Sequence, residues 1–116
     1  MRADVLRVVE AYIEAVRAND AEALPLHPEM TFQSPLSVIR GAAEFRAALG
    51  PFVRILRGIE VERLLADETS CAAVLSLVTV FGRIPFVEVF EVRDGGIVSI
   101  RAYYDPRPML AAAPAG

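Results

Sequence analysis

Lysine is absent. All 12 basic residues of this 116-residue chain are arginine, which excludes Schiff-base catalysis through a lysine amine. Cys71 is the only cysteine and His27 the only histidine. An internal disulfide is therefore excluded, and so is a Cys/His metal cluster. A Ser-His-Asp triad would have to use His27, which the sequence puts in a loop between Leu26 and Pro28. Charge of one sign is also lacking: the net charge is −3 and the charges are scattered. With no basic stripe or RNA-binding signature, nucleic acid is not an expected partner. The longest uncharged run, Thr69 to Gly82, falls well short of the ~20 residues a membrane helix needs. The N-terminus is polar and amphipathic, without the pattern of a secretory leader, so a cytoplasmic location is the default expectation.

What the chain has in excess is apolar surface. Hydrophobic residues make up 54% of it. The length suits one domain, residues 1–116, with one core. A domain this small cannot hide that much apolar area alone, which points to an oligomer, a ligand cavity, or both. The Ala/Pro/Gly-rich end, residues 109–116, reads as a flexible tail.

Helical periodicity dominates the first half. Val5, Val8, Val9, Tyr12, Ile13 and Val16 recur on one face of a helix that Asp4 is placed to cap and that runs to about Arg17. Asp20 is a candidate cap for a short second helix through Leu24, stopped by Pro25. Met30 to Ser34 reads as a short strand. Gly41 to Leu49 reads as a third helix, broken or kinked at Gly50-Pro51, with a further turn over Phe52 to Leu56. The period then changes to two. Strands are expected over Ile59–Leu65, Ala72–Phe81, Ile84–Val92 and Ile97–Tyr104, the last two joined at Asp94-Gly95-Gly96 in a strong hairpin signal. Helices followed by a long antiparallel sheet define an α+β domain.

The strand over Ile84–Val92 is apolar on both faces. Phe86, Glu88, Phe90 and Val92 share one side; Val87, Val89 and Glu91 share the other. Three helices cannot cover both sides of the sheet. The outer face, with Val87, Val89, Arg101 and Tyr103, is therefore expected to form a homodimer interface.

The segment Phe90-Glu91-Val92-Arg93-Asp94-Gly95-Gly96-Ile97-Val98, followed by Ile100 to Pro106, resembles the last hairpin of SnoaL-like and ketosteroid-isomerase-like proteins. The stretches Phe81-Gly82-Arg83-Ile84-Pro85 and Tyr104-Asp105-Pro106-Arg107 resemble SnoaL-like proteins in particular. The resemblance spans about Val5 to Pro108. It implies the nuclear-transport-factor-2-like (NTF2-like, cystatin-like) cone: three N-terminal helices packed on a curved antiparallel sheet. It also implies a small-molecule pocket and a cofactor-free isomerase or cyclase acting on a hydrophobic carbonyl compound.

Tyr12-Ile13-Glu14-Ala15-Val16 resembles the first helix of ketosteroid isomerases, whose tyrosine donates to the substrate oxygen. Glu88, in Phe86-Val87-Glu88-Val89-Phe90, falls where those enzymes carry a protonated aspartate. A neutral carboxyl beside a tyrosine is their established oxyanion site. Their general base, an aspartate before a proline, is matched by Ser34 in Phe32-Gln33-Ser34-Pro35, and a serine hydroxyl is not basic near pH 7. The Arg-x-Asp pattern of limonene-epoxide-hydrolase-like members is absent from Ala73-Val74-Leu75-Ser76-Leu77.

Tyr12 and Glu88 are thus the candidate catalytic residues. Phe32, Ser34, Phe86, Phe90, Ala102 and Tyr104 are candidates for contact with a small hydrophobic ligand, and no metal or cofactor is expected. Asp105 is a lesser candidate for a carboxylate at the pocket rim. Turn geometry decides the place of Glu88. A two-residue Asp94-Gly95 turn puts it opposite Arg101. A three-residue turn with Gly95 as a bulge puts it on the face of Ile100, Ala102 and Tyr104, and the alternation Val98, Ile100, Ala102 favours the second. A non-catalytic dimer that binds a small ligand, or only assembles, is the alternative to an enzyme.

Overall fold

The computed structural model describes residues 1–111. Helix α1 spans Arg2–Arg17 and is followed by a single 3-10 turn, Ala21–Ala23. Strands β1 (Leu26–Gln33) and β2 (Val38–Arg40) precede helix α2 (Ala42–Ile55). Four long strands complete the sheet: β3 (Leu56–Ala66), β4 (Ser70–Thr79), β5 (Gly82–Arg93) and β6 (Gly96–Tyr104), with a short helix α3 (Arg107–Ala111) after them. All six strands form one curved sheet in the order β2-β1-β6-β5-β4-β3, with the helices against one face.

The sheet is mixed. Every pairing is antiparallel except β1 with β6, which run parallel. The long β2–α2–β3 excursion carries the chain across the sheet and leaves β1 to be joined by the last strand. β1 is also longer than expected and includes His27 and Pro28, which the sequence assigned to a loop. The strand tolerates Pro28 because β2 pairs only with Thr31 to Gln33. The first half of β1 is thus a sheet edge, where a missing N–H leaves no ladder bond unmade. β2, three residues long, was not foreseen, being too short to show alternation.

α1 begins at Arg2, with Asp4 inside the first turn rather than at the cap. There its carboxylate pairs with Arg7 and opposes the positive helix end. Asp20 does cap the 3-10 turn, accepting from the Ala23 amide at 3.3 Å. α2 runs unbroken through Gly50-Pro51. An interior proline removes its own hydrogen bond and costs about 3 kcal/mol. The last turn compensates by burial: Phe52 and Val53 pack on the core, as does Leu56 at the start of β3. Arg46 fastens α2 to the chain before β1, donating to the carbonyls of Ala21 and Leu24 at 3.0 and 3.1 Å.

Met109 and Leu110, in the segment read as a tail, belong to α3, and Asp105 accepts from the Arg107 amide at its start at 3.0 Å. Residues 112–116 lie outside the described residues. No helix among the described residues is long and apolar enough to cross a membrane.

Candidate active site

The candidate site lies between the inner face of the sheet and the two long helices. From α1, Val5, Val9, Tyr12, Ile13 and Val16 turn inward at helical spacing. Tyr12 is 6% exposed. Its ring meets Phe90 edge-on, with centroids 5.0 Å apart, and lies 6.3 Å from Phe45 of α2. From β5, Ile84, Phe86, Glu88 and Phe90 are buried on the inner face while the residues between them are not, as strand alternation requires.

The register with β6 decides which residue stands opposite Glu88. Asp94 and Gly95, with φ of 50° and 76°, form a two-residue turn closed by the pair Arg93 and Gly96. This corrects the expected three-residue turn; left-handed backbone at both central positions is the hairpin turn that matches strand twist. The bulge is present but sits elsewhere. Val92 pairs with Ile97 and Glu91 with Ser99, leaving Val98 unpaired. That extra residue moves Glu88 from Arg101 to Ala102. On its other side Glu88 faces Ala73 of β4. Arg101 pairs with Val89 on the outer face, so it cannot neutralise Glu88.

Two small neighbours leave room beside the carboxyl, and a cavity of about 200 Å³ opens there. Tyr12, Phe32, Ser34, Phe86, Glu88 and Tyr104 all line it. Phe86 and Tyr104 stack with centroids 4.7 Å apart, and Phe32 lies 5.3 Å from Phe45. Two other candidates are absent from the lining. Phe90, fully buried, is screened by the Tyr12 ring and supports it from behind. Ala102 is too short to pass the Glu88 side chain it flanks. Further lining residues, not among the expected ones, include Ile55, Ile59, Leu75, Leu77, Ser37 and Met109. Ile59, Leu75 and Leu77 lie on strands the sequence did indicate, but it did not show which of them meet the cavity.

Glu88 is 7% exposed, and burial pushes its pKa up to about 8. Burial also raises the Tyr12 phenol well above its ordinary value, and the Glu88 charge raises it further. Both groups therefore favour their neutral forms at pH 7. Among the described residues neither makes a side-chain hydrogen bond, and no fully occluded side-chain nitrogen or oxygen lacks a partner. Their polar ends consequently open into the cavity, where a ligand oxygen or water can meet them.

The other polar candidates are committed. The Ser34 oxygen accepts from the Leu36 and Ser37 amides, each at 3.2 Å, which is turn chemistry. Asp105 lies outside the lining and is gripped by Arg107 through bonds of 2.7 to 3.0 Å, which hold its carboxyl below the usual range. His27, at the start of β1, sits beside Gly96 at the far end of β6 from Tyr104. About 25 Å of strand separates those ends at ~3.3 Å per residue, so a triad using His27 has no place in this cavity. Among the described residues no cluster of three or more His, Cys, Asp or Glu is suited to a metal ion.

No curated protein matches the chain significantly. Among solved structures, a protein from Kribbella flavida DSM 17836 superposes with a TM-score of 0.86 at 30% identity, covering 93% of this chain and 92% of that one. A steroid delta-isomerase from Pseudomonas aeruginosa gives 0.79 at 22% identity, covering 97% and 87%. An LEH-like epoxide hydrolase from M. tuberculosis gives 0.76 at 24% identity, covering 95% and 89%. At those last two identities the likeness is one of fold. The sequence pattern of the SnoaL-like domain extends over residues 9–100, from inside α1 to the middle of β6. With its helices, mixed sheet and inward-facing β5 in the same arrangement, the chain belongs to the SnoaL-like domain family of the NTF2-like fold.

Proposed function

We propose that the chain is a cofactor-free acid–base enzyme, an isomerase or cyclase of a hydrophobic carbonyl compound, with Tyr12 and Glu88 as its catalytic pair. The observation that carries this reading is the pair itself: a phenol and a neutral carboxyl lining one apolar cavity, neither bonded to protein among the described residues. A phenol in an apolar cavity stabilises the oxygen of a carbonyl as charge develops on it. Such an interaction lowers the barrier because it is stronger in the transition state than in the ground state. The steroid delta-isomerase among the structural neighbours lends the same reaction class.

The lining also restricts the ligand. Among the described residues no arginine borders the cavity, so a carboxylate or phosphate would enter without a counter-charge. A neutral ketone, aldehyde or phenol fits. A volume of about 200 Å³ suits one ring or two fused rings, since cavities of about 150 Å³ already take up benzene.

A second reading, a non-catalytic binding protein, is favoured by the capture of Ser34 in a turn at the position that resembles the general base. Both readings include a homodimer through the outer sheet face. There Val87 and Val89 are half-buried, Arg101 is exposed and Tyr103 is 52% exposed.

The test is a thermal-shift and fluorescence titration with 2-naphthol, followed by turnover assays on neutral cyclic enones. Binding at a hundred times the dissociation constant should stabilise the protein by about 2.7 kcal/mol. Indifference to neutral one- and two-ring ketones and phenols alike would sink both ligand readings. Binding without turnover would leave the second.

A further inference from the structure

The cavity is polar at two places. Tyr12 and Glu88 stand at its buried end, 6% and 7% exposed. Ser34, half-buried, and Ser37, exposed, stand where it meets solvent. Apart from the Tyr104 hydroxyl, the rest of the lining among the described residues is apolar, with Phe32, Phe45, Leu75 and Leu77 among it. A few fixed polar groups in an apolar cavity are what orient a ligand and select it.

Counting hydrogens and lone pairs fixes what the two serines offer. A hydroxyl has one hydrogen to donate and two lone pairs. The Ser34 oxygen accepts from the Leu36 and Ser37 amides, each at 3.2 Å, which occupies both lone pairs. In its contact with the Ser37 oxygen, at 3.3 Å, Ser34 is therefore the donor. Ser37 accepts there and keeps its own hydrogen. Among the described residues its hydroxyl makes no other side-chain hydrogen bond. The backbone holds this arrangement in place. Gln33 pairs with Val38, the Ser34 amide donates to the Ser37 carbonyl at 2.9 Å, and Pro35 between them has a fixed φ.

Resting on the assignment of this cavity as a ligand site, we infer that Ser37 is a specificity-determining residue, which donates its hydroxyl hydrogen to a second oxygen of the ligand. The ligand class is then difunctional. One carbonyl or phenol oxygen meets Tyr12 and Glu88 at the buried end. An acceptor oxygen, of a ketone, an ester or an ether, meets Ser37 at the mouth. A ring compound with a single oxygen fills the cavity but leaves the Ser37 hydrogen to water.

Water solvates the Ser37 hydroxyl before a ligand arrives, so the contact contributes the net worth of one hydrogen bond, about two- to tenfold in affinity. The turn presents the hydroxyl already oriented, which spares the ligand the cost of ordering it. The rival donor is the Tyr104 hydroxyl, on a half-buried ring that stacks on Phe86 and lines the same cavity.

The test is a fluorescence titration of the full chain at pH 7 with 2-naphthol, its 6- and 7-acetyl derivatives and the matching isopropenyl compounds, in which CH2 replaces the carbonyl oxygen. At one position or the other, the acetyl compound should bind about two- to tenfold more tightly than its isopropenyl partner. Ser37→Ala should erase that difference and Ser37→Thr should keep it. Should Ser37→Ala fail to fold, Ser37→Cys, with a weak donor of similar size, should lose the preference in the same way. Tyr104→Phe should retain it. A preference that survives loss of the Ser37 hydroxyl, or that disappears in Tyr104→Phe, overturns the inference. Binding of 2-naphthol with no acetyl preference at either position overturns the inference only. Failure of all these compounds to bind the wild-type protein overturns the cavity assignment with it.

Discussion

Glu88 stands directly opposite Ala102 in the β5–β6 ladder, one residue away from the partner that the Asp94-Gly95 turn alone dictates. The turn closes on Arg93 and Gly96, and an unbroken ladder from there would pair Glu88 with Arg101. The unpaired Val98 supplies the missing residue. The partner of the carboxyl thus depends on a bulge. Deleting Val98 should remove the bulge and nothing beyond it: Ser99 then follows Ile97 directly, and Glu88 stays opposite Ala102 and Ile100 opposite Phe90 in an unbroken ladder. The deletion should therefore keep the cooperative thermal transition seen by circular dichroism, and its loss would mean that the bulge itself is needed for the fold.

Stability should depend on pH through Glu88. Its pKa is about 8 in the folded protein against 4.5 for a free glutamate, so the folded state binds the proton more tightly. The stabilisation is complete below about pH 4.5 and is lost as pH rises through about 8. Over that window wild-type stability should fall by on the order of 4 kcal/mol relative to Glu88→Gln, at ~1.4 kcal/mol per pH unit. Urea melts of both proteins at pH 5, 7 and 9 check this; parallel curves would remove Glu88 from the buried site.

Tyr12→Phe should separate packing from chemistry. The phenylalanine ring keeps the contacts with Phe90 and Phe45, and no protein hydrogen bond among the described residues is lost. Stability should change by less than about 0.5 kcal/mol. Affinity for 2-naphthol should fall by about 0.5–1.5 kcal/mol, the net worth of one hydrogen bond. Equal losses in both measurements would mean that the hydroxyl is structural.

Phe90 should behave as a core residue. It is fully buried and supports Tyr12 from outside the cavity. Phe90→Ala should cost about 3–5 kcal/mol by chemical denaturation. Phe52→Ala, at a half-buried lining position, should cost less and widen the cavity toward larger ketones. Reversal of that order would mean the two rings had exchanged roles.

The outer sheet face offers a test of assembly. Val89→Glu puts a charge among Val87, Arg101 and Tyr103 on that face without touching the cavity. Sedimentation velocity should show the wild-type chain as a dimer at micromolar concentration and the variant as a monomer with unchanged naphthol binding. A monomeric wild-type protein would remove the interface.

Much of the local structure was legible because side-chain direction follows from backbone geometry alone. The helical spacing of Val5, Val9, Tyr12, Ile13 and Val16 assigns them to one face whatever they pack against. Alternation likewise puts Phe86, Glu88 and Phe90 on a common side of β5. The continuity of α2 through Pro51 was not legible, because a local penalty was outweighed by burial of Phe52 and Val53 against distant residues. Nor was the parallel union of β1 with β6, which joins segments some 70 residues apart and leaves no local signature. By itself, then, the sequence determined which residues share a face, and that Glu88 shares one with Phe86 and Phe90. Only the tertiary structure decided which residues stand opposite one another: Ala73 and Ala102 beside Glu88, Phe90 behind Tyr12, Met109 at the cavity wall. A cavity is what packing leaves unfilled, and its shape depends on all the elements around it at once.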